Sequence, residues 1–282
     1  MNKSFHQCTA VITGAASGIG RELAIVLARE RGDLVLSDIN QSGLEKTLEL
    51  VRQAGGSGAI HICDVSNGDA VKTMADHCFS KWGRVEVLIN NAGVAVSGVT
   101  GVIPMEDWKW TMAINFWGVL HGCHAFIPRM KQQRRGHILN VASIAGIVSI
   151  PEMGPYNASK AAVISLSETL RSELAPANIG VSVLCPSHIK TNLLNNMRYT
   201  DEFQRLIANT GFANARITPA EAAEITVRAM KKNRLYIIPQ GPAKSAWLFK
   251  RLFPAFYFAC LAKVTRASWG KRFMLQLNRM GF

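Results

Sequence analysis

The 282-residue sequence predicts an α/β fold: a doubly wound, single-domain, seven-stranded parallel sheet followed by a helical C-terminal extension. Three observations predict it. Short β-rich runs alternate with stretches of helical spacing from Thr9 to about Ile238, as parallel β-α-β units require. The first run opens into a glycine turn and then a helix. No linker-like break, repeat or low-complexity tract interrupts the alternation, and the length suffices for one large core.

Cys8 to Thr13 supplies the first strand, Gly14-Ala15-Ala16-Ser17-Gly18-Ile19-Gly20 the turn, and Arg21 to Ala28 the helical spacing. Strand, glycine turn and helix in that order form the context of a dinucleotide fingerprint, here with the looser spacing GxxxGxG. Gly14 permits a tight turn, Gly18 lets the backbone approach a pyrophosphate, and Gly20 allows helix and strand to pack closely. The helix N-terminus adds free N–H groups and a positive dipole end. A glycine turn that binds nothing shares the pattern. The second strand, Leu34 to Asp38, ends on an acid suited to accept hydrogen bonds from ribose hydroxyls and to repel a 2′-phosphate. Arg21 could serve such a phosphate, but Ser17 and Ile39 bring no second cation. NAD is therefore expected in preference to NADP.

Ala59 to Asp64, Val85 to Asn90, Gly136 to Val141, Gly180 to Cys185 and Leu235 to Ile238 complete the strands. Ser143 lies just past the fifth of the seven runs, in Asn-Val-Ala-Ser-Ile-Ala-Gly. Tyr156 and Lys160 follow, four residues apart and so on one helix face. A neighbouring cation favours a phenolate, so Tyr156 is expected to titrate below the usual value of about 10 and to exchange a proton with an alcohol. The trio suits carbonyl/alcohol redox chemistry. Taken singly, each member is an ordinary strand-end or helix-surface residue.

Assembled, these motifs resemble the short-chain dehydrogenase/reductase family in its form of roughly 250 residues. TGxxxGIG stands at Thr13 to Gly20, the adenine-contacting acid at Asp64 in Cys63-Asp64-Val65, NNAG at Asn90-Asn91-Ala92-Gly93, and the helix asparagine at Asn115. Cys185-Pro186-Ser187-His188-Ile189-Lys190-Thr191 matches PGxxxT with Ser187 in the glycine position. The resemblance covers about residues 5–240 and implies a Rossmann fold. It implies that Gly14, Ser17, Gly18, Ile19, Gly20, Asp38, Ile39, Asp64, Val65, Asn91, Ala92, Gly93, Tyr156, Lys160, Pro186, Ile189 and Thr191 bind the cofactor. It further implies that Ser143 hydrogen-bonds the substrate oxygen and that Tyr156 exchanges its proton. Lys160 would lower the Tyr156 pKa and hold the nicotinamide ribose, while Asn115 fixes a water that links Lys160 to solvent. Homodimers or homotetramers are common in the family.

The expected bounds are a catalytic unit over 1–240, a variable substrate lid over 187–216, and a basic, aromatic-rich extension over 241–282. Ile189, Leu193, Leu194, Met197, Tyr199 and Phe203 in the lid, with Ala95, Val96, Ile144 and Met153, would wall an apolar pocket, although such residues equally suit a core. The substrate class read from them is a lipophilic secondary alcohol or ketone, steroid-, retinoid- or fatty-alcohol-like. The cysteines form no CxxC pair, and Cys8, Cys63 and Cys185 fall in expected strands, which suits buried thiols in a reducing cytosol. Met1 to Gln7 is polar and runs straight into the first expected strand, so no signal-peptide apolar region is expected. His121 and His124 lack a converging third ligand, so packing or solvated histidines are expected and no metal.

The formal charge of +13 is concentrated late, because every charged side chain after Glu224 is a lysine or arginine. The uncharged run from Leu252 to Ala262 is shorter than the roughly 20 apolar residues a bilayer span needs, and Pro254 interrupts it. Interleaved aromatics and cations favour a helix lying on an anionic membrane surface. Packing against the catalytic unit or a second subunit is the next reading. Contact with single-stranded nucleic acid comes last, since no RNA-binding motif accompanies the charge. The expected protein is thus a cytoplasmic, peripherally membrane-associated, NAD-dependent oxidoreductase. The alternatives are an NADPH-dependent biosynthetic ketoreductase, such as a 3-oxoacyl reductase, and a non-catalytic NAD-binding scaffold, against which the intact Ser143, Tyr156 and Lys160 argue.

Overall fold

The computed structural model describes residues 4–279, so the outermost positions of the two expected regions, 1–3 and 280–282, lie outside the described residues. From the N-terminus the chain forms β1 (Thr9–Thr13), α1 (Gly18–Arg29), β2 (Asp33–Asp38), α2 (Gln41–Gln53), β3 (Ser57–Ile62), α3 (Gly68–Trp82) and β4 (Val87–Asn90). Next come β5 (Val96–Ser97), α4 (Met105–Met112), a π-helical turn (Ala113–Trp117), α5 (Gly118–Gln133), β6 (Gly136–Val141), α6 (Ala145–Val148) and α7 (Gly154–Glu173). β7 (Ile179–Leu184) leads to a 3-10 turn (Asn192–Asn196), β8 (Arg198–Tyr199), α8 (Glu202–Ala213), α9 (Pro219–Lys231) and β9 (Tyr236–Ile237). Three helices close the described chain: α10 (Gly241–Leu252), α11 (Pro254–Arg266) and α12 (Gly270–Arg279).

Seven strands pair in the order β3-β2-β1-β4-β6-β7-β9, parallel throughout. Alternate residues feed opposite faces, as the twofold strand period demands. Val11, Leu88 and Ile138 point to one core with Met74, Phe126 and Val163 of α3, α5 and α7. Ile12, Ile89 and Leu139 point to the other with Leu23, Leu27 and Met230 of α1 and α9. Covering both faces explains why β1, β4, β6 and β7 are buried along their whole length. Strand order reverses between β1 and β4, and the crevice at that switch point is where open α/β sheets bind ligands.

The sheet stops short of several expected ends, since Cys63 and Asp64 lie past β3, Val85 precedes β4 and Cys185 follows β7. A second sheet, absent from the sequence expectation, pairs β5 with β8 in parallel and ties the loop after β4 to the segment after β7. It is only two residues per strand. Arg198 reinforces the tie through an ion pair with Asp107 and stacking over Trp110.

The basic C-terminal helices fold back onto the part of the chain that carries the sheet. Ala243 is buried, the Trp247 and Tyr236 rings lie 5.3 Å apart, and the Tyr257 hydroxyl donates to the Val148 carbonyl at 3.0 Å. Lys250 donates to the Ile147 carbonyl, and the Lys271 ammonium sits 4.8 Å from the Phe203 ring. Packing therefore governs the inner faces of these helices, where the sequence reading put membrane contact first. No helix among the described residues is long and apolar enough to cross a membrane.

Candidate active site

A cavity of about 920 Å³ lies at the carboxyl ends of the strands, large enough for a cofactor or a drug-sized ligand. Its floor at one end is the glycine turn after β1. Gly14 holds φ +65° and Gly18 φ +56°, both in the left-handed region. A methyl on Gly14 would come within 2.8 Å of the Ala92 backbone, and one on Gly20 within 2.3 Å of the Gly14 carbonyl. Gly20 thus packs α1 onto β1 from behind and does not face the cavity.

The acid at the end of β2 is fixed by its neighbours: Asp38 Oδ2 accepts the Ala16 N–H at 3.1 Å and Oδ1 the Asn40 N–H at 3.0 Å. Arg21 points elsewhere, with Nε donating to Thr47 Oγ1 at 2.9 Å and Nη2 to the carbonyls of Ala16 and Gly43. It clamps the turn to α2 and does not line the cavity. Ser17, Ile19, Ile39, Asp64 and Val65 complete this end. The Val65 carbonyl is within 2.9 Å of His121 Nδ1, which gives that histidine a packing role. Asn91 anchors the opposite wall by donating from Nδ2 to the carbonyls of Thr13 and Gly14, each at 3.0 Å. Left-handed glycines, a close backbone approach and a fixed carboxylate without a facing cation fit a dinucleotide with unmodified ribose hydroxyls.

Farther along, Ser143, Tyr156 and Lys160 line one side together, from the end of β6 and the face of α7. Lys160 is buried with Nζ donating to the Val141 carbonyl at 3.0 Å and lying 5.7 Å from the Tyr156 ring centre. Burial pushes its ammonium down to about 8. Tyr156 moves the opposite way from the sequence expectation: burial raises its phenol above the ordinary value, opposed by a hydrogen bond with Ser143 and augmented by nearby Cys185. Desolvation of the phenolate outweighs the stabilising hydrogen bond from Ser143.

Asn115 sits in the π-helical turn, fully buried and outside the cavity lining. Its Oδ1 accepts the Val94 N–H at 2.8 Å, and its Nδ2 donates to the Val94 carbonyl and Ser159 Oγ. Both amide hydrogens are thus engaged with protein, so this side chain braces the NNAG loop against α7. A methyl on Gly93 would lie 3.2 Å from Asn115 Oδ1 and 3.3 Å from Lys160 Nζ, so these three positions meet.

Pro186, Ile189 and Thr191 also line the cavity. The Ser187 N–H, at the position of the family's glycine, is held by Gln240 Oε1 at 3.1 Å. Of the expected apolar wall, Ala95, Ile144, Met153, Leu193 and Met197 are present, whereas Val96, Leu194, Tyr199 and Phe203 are not. The wall is completed instead by Phe212 of α8 and by Tyr257, Leu261, Met274 and Leu277 of the C-terminal helices. Nothing in the sequence reading marked Gln240 or these helices as part of the site.

A parallel Rossmann sheet with a glycine cradle and a Ser-Tyr-Lys cluster on one cavity defines an oxidoreductase architecture. A family model for short chain dehydrogenases matches residues 8–202. SadH of Mycobacterium tuberculosis is 35% identical over 260 residues, covering 90% of this chain and 94% of that protein. Dehydrogenase/reductase SDR family member 7B of Xenopus tropicalis is 34% identical over 259 residues, covering 89% and 84%. The crystal structure of a short chain dehydrogenase/reductase from Burkholderia phymatum in complex with NAD superposes with TM-score 0.82 at 34% identity, covering 89% of this chain and 95% of that one. The chain belongs to the short-chain dehydrogenase/reductase family of oxidoreductases.

Proposed function

We propose that this chain is an NAD-dependent oxidoreductase that interconverts a lipophilic secondary alcohol and its ketone, steroid-, retinoid- or fatty-alcohol-like in character. The observation that carries the reading is one continuous cavity, which runs from the glycine cradle and Asp38 past Ser143, Tyr156 and Lys160 to apolar walls. NAD, when bound, supplies the hydride acceptor or donor. Gly14, Gly18 and the N-terminus of α1 hold its phosphates, Asp38 its adenosine ribose, Asp64 its adenine side, and Lys160 its nicotinamide ribose. Ser143 donates a hydrogen bond to the substrate oxygen. Tyr156 as the phenol donates a proton to the ketone oxygen during reduction, and as the phenolate takes the hydroxyl proton during oxidation. Engagement of Arg21 with the turn itself supports NAD over NADP. The protein works as a homodimer or homotetramer in the cytoplasm, with its basic extension at an anionic membrane surface.

The test is turnover of purified protein with NAD on a panel of hydrophobic secondary alcohols. Tyr156→Phe should lower kcat by about 10²-fold or more while calorimetric NAD affinity stays within a few-fold. Lys160→Ala should damage both. Near-parental kcat in Tyr156→Phe would remove that residue from the proton step.

A further inference from the structure

The helices that roof the substrate cavity also carry exposed aromatic side chains. On α11, Tyr257 and Leu261 face the cavity at i, i+4 spacing; on α12, Met274, Leu277 and Asn278 do so at i, i+3, i+4. Phe256 on α11 is 61% exposed, Phe253 at the junction of α10 and α11 is 56% exposed, and Trp269 just before α12 is 50% exposed. Phe249 brings the first two together, with ring centres 6.0 Å from each, and Trp269 lies 5.6 Å from Phe273. The same three helices carry exposed Arg251, Lys263, Arg266 and Arg272, and the sequence after Glu224 contains no carboxylate side chain.

Exposed aromatic side chains and cations on the same helices suit an anionic phospholipid headgroup layer, in which the rings enter the acyl boundary and the cations meet phosphate. A second copy of this chain would bring the same uncompensated cations against themselves. We propose that α11 and α12 form a lipid-seated roof, and that the lipophilic substrate passes from the bilayer between them into the cavity. The proposal rests on the lipophilic-alcohol reading above. It places the entrance on the bilayer side, so substrate need not cross water.

The test uses the full chain. Cys260, on the outer side of α11, is the one exposed cysteine of the six, the others being buried, and accepts an environment-sensitive thiol dye without mutation. With phosphatidylcholine vesicles containing about 25% phosphatidylserine, the dye should shift to shorter wavelength and the protein should pellet, less so at high salt. Phe253→Ser, Phe256→Ser and Trp269→Ser combined should abolish pelleting. That variant should lower turnover of a long-chain secondary alcohol dissolved in the vesicles about tenfold or more, yet leave a short water-soluble secondary alcohol within about twofold. Lys263→Glu with Arg266→Glu should move both readouts the same way and guards against misfolding of the first variant. No dye shift and no pelleting by the unmodified protein overturn the roof while leaving the activity reading to stand on the water-soluble alcohol. Lost pelleting with unchanged turnover of the vesicle-borne alcohol overturns the entry route. Equal loss on both alcohols, or a changed oligomeric state of the variant, reassigns these faces to folding or subunit contact and overturns the proposal. Lipid binding by a parent that turns over neither alcohol removes the activity reading and the route with it.

Discussion

Asp38, proposed to read the cofactor ribose, has carboxylate oxygens already oriented by the Ala16 and Asn40 N–H groups. Ile39 beside it is 70% exposed, which leaves room for a long cation. Asp38→Ala with Ile39→Arg is therefore expected to shift the NADP/NAD ratio of kcat/KM by at least about tenfold, equivalent to about 1.4 kcal/mol. An unmodified enzyme that prefers NADP would take Asp38 out of this role. Lys160 makes a different forecast, about stability. Burial holds its pKa at about 8 in the folded protein against 10.5 ordinarily. Between those values the unfolded chain retains a proton that the folded chain has released, so stability rises with pH across that window. Below it, burial of the ammonium costs about 3 kcal/mol. In cofactor-free protein, the stability of Lys160→Met relative to the parent should thus decline by about that amount between pH 8 and 10.5 in urea unfolding. A difference that stays constant over the window would mean Lys160 is not strained by desolvation.

The strand-turn-helix unit of β1 and α1 depends on a contact without side chains, Gly20 against the Gly14 carbonyl. Gly20→Ala should force helix and strand apart, destabilise the fold by about 1–3 kcal/mol in denaturant unfolding, and weaken NAD binding in calorimetry. Full stability with full affinity would show that the turn can yield. This unit was legible in the sequence because glycine spacing and strand chemistry are local. So was the pairing of Tyr156 with Lys160 on one helix face. The β5-β8 sheet was not, since two residues per strand carry no alternation and their partners lie far apart in the chain. The π-helical turn was equally hidden, because one widened turn leaves the apolar spacing of its neighbours unchanged. The upward direction of the Tyr156 pKa also escaped, for desolvation belongs to the folded surroundings and not to the i, i+4 pair.

At the scale of the molecule, the sequence displayed the charge asymmetry of the extension but not which of its faces turns inward. That choice is made by remote partners, such as the Val148 carbonyl for Tyr257 and Phe203 for Lys271. The order of the sheet has a consequence for how the chain is made. Beyond β1 the strands β4, β6, β7 and β9 are laid down outward in the order in which a ribosome delivers them, so each newly added strand is briefly the open margin of a growing sheet. β7, buried at all six positions in the finished protein, holds that place until Tyr236 emerges. A nascent chain stalled in between presents chaperones with a long apolar template for mispairing. The hazard ends when β9 is added, because a strand of two residues is too short to recruit another.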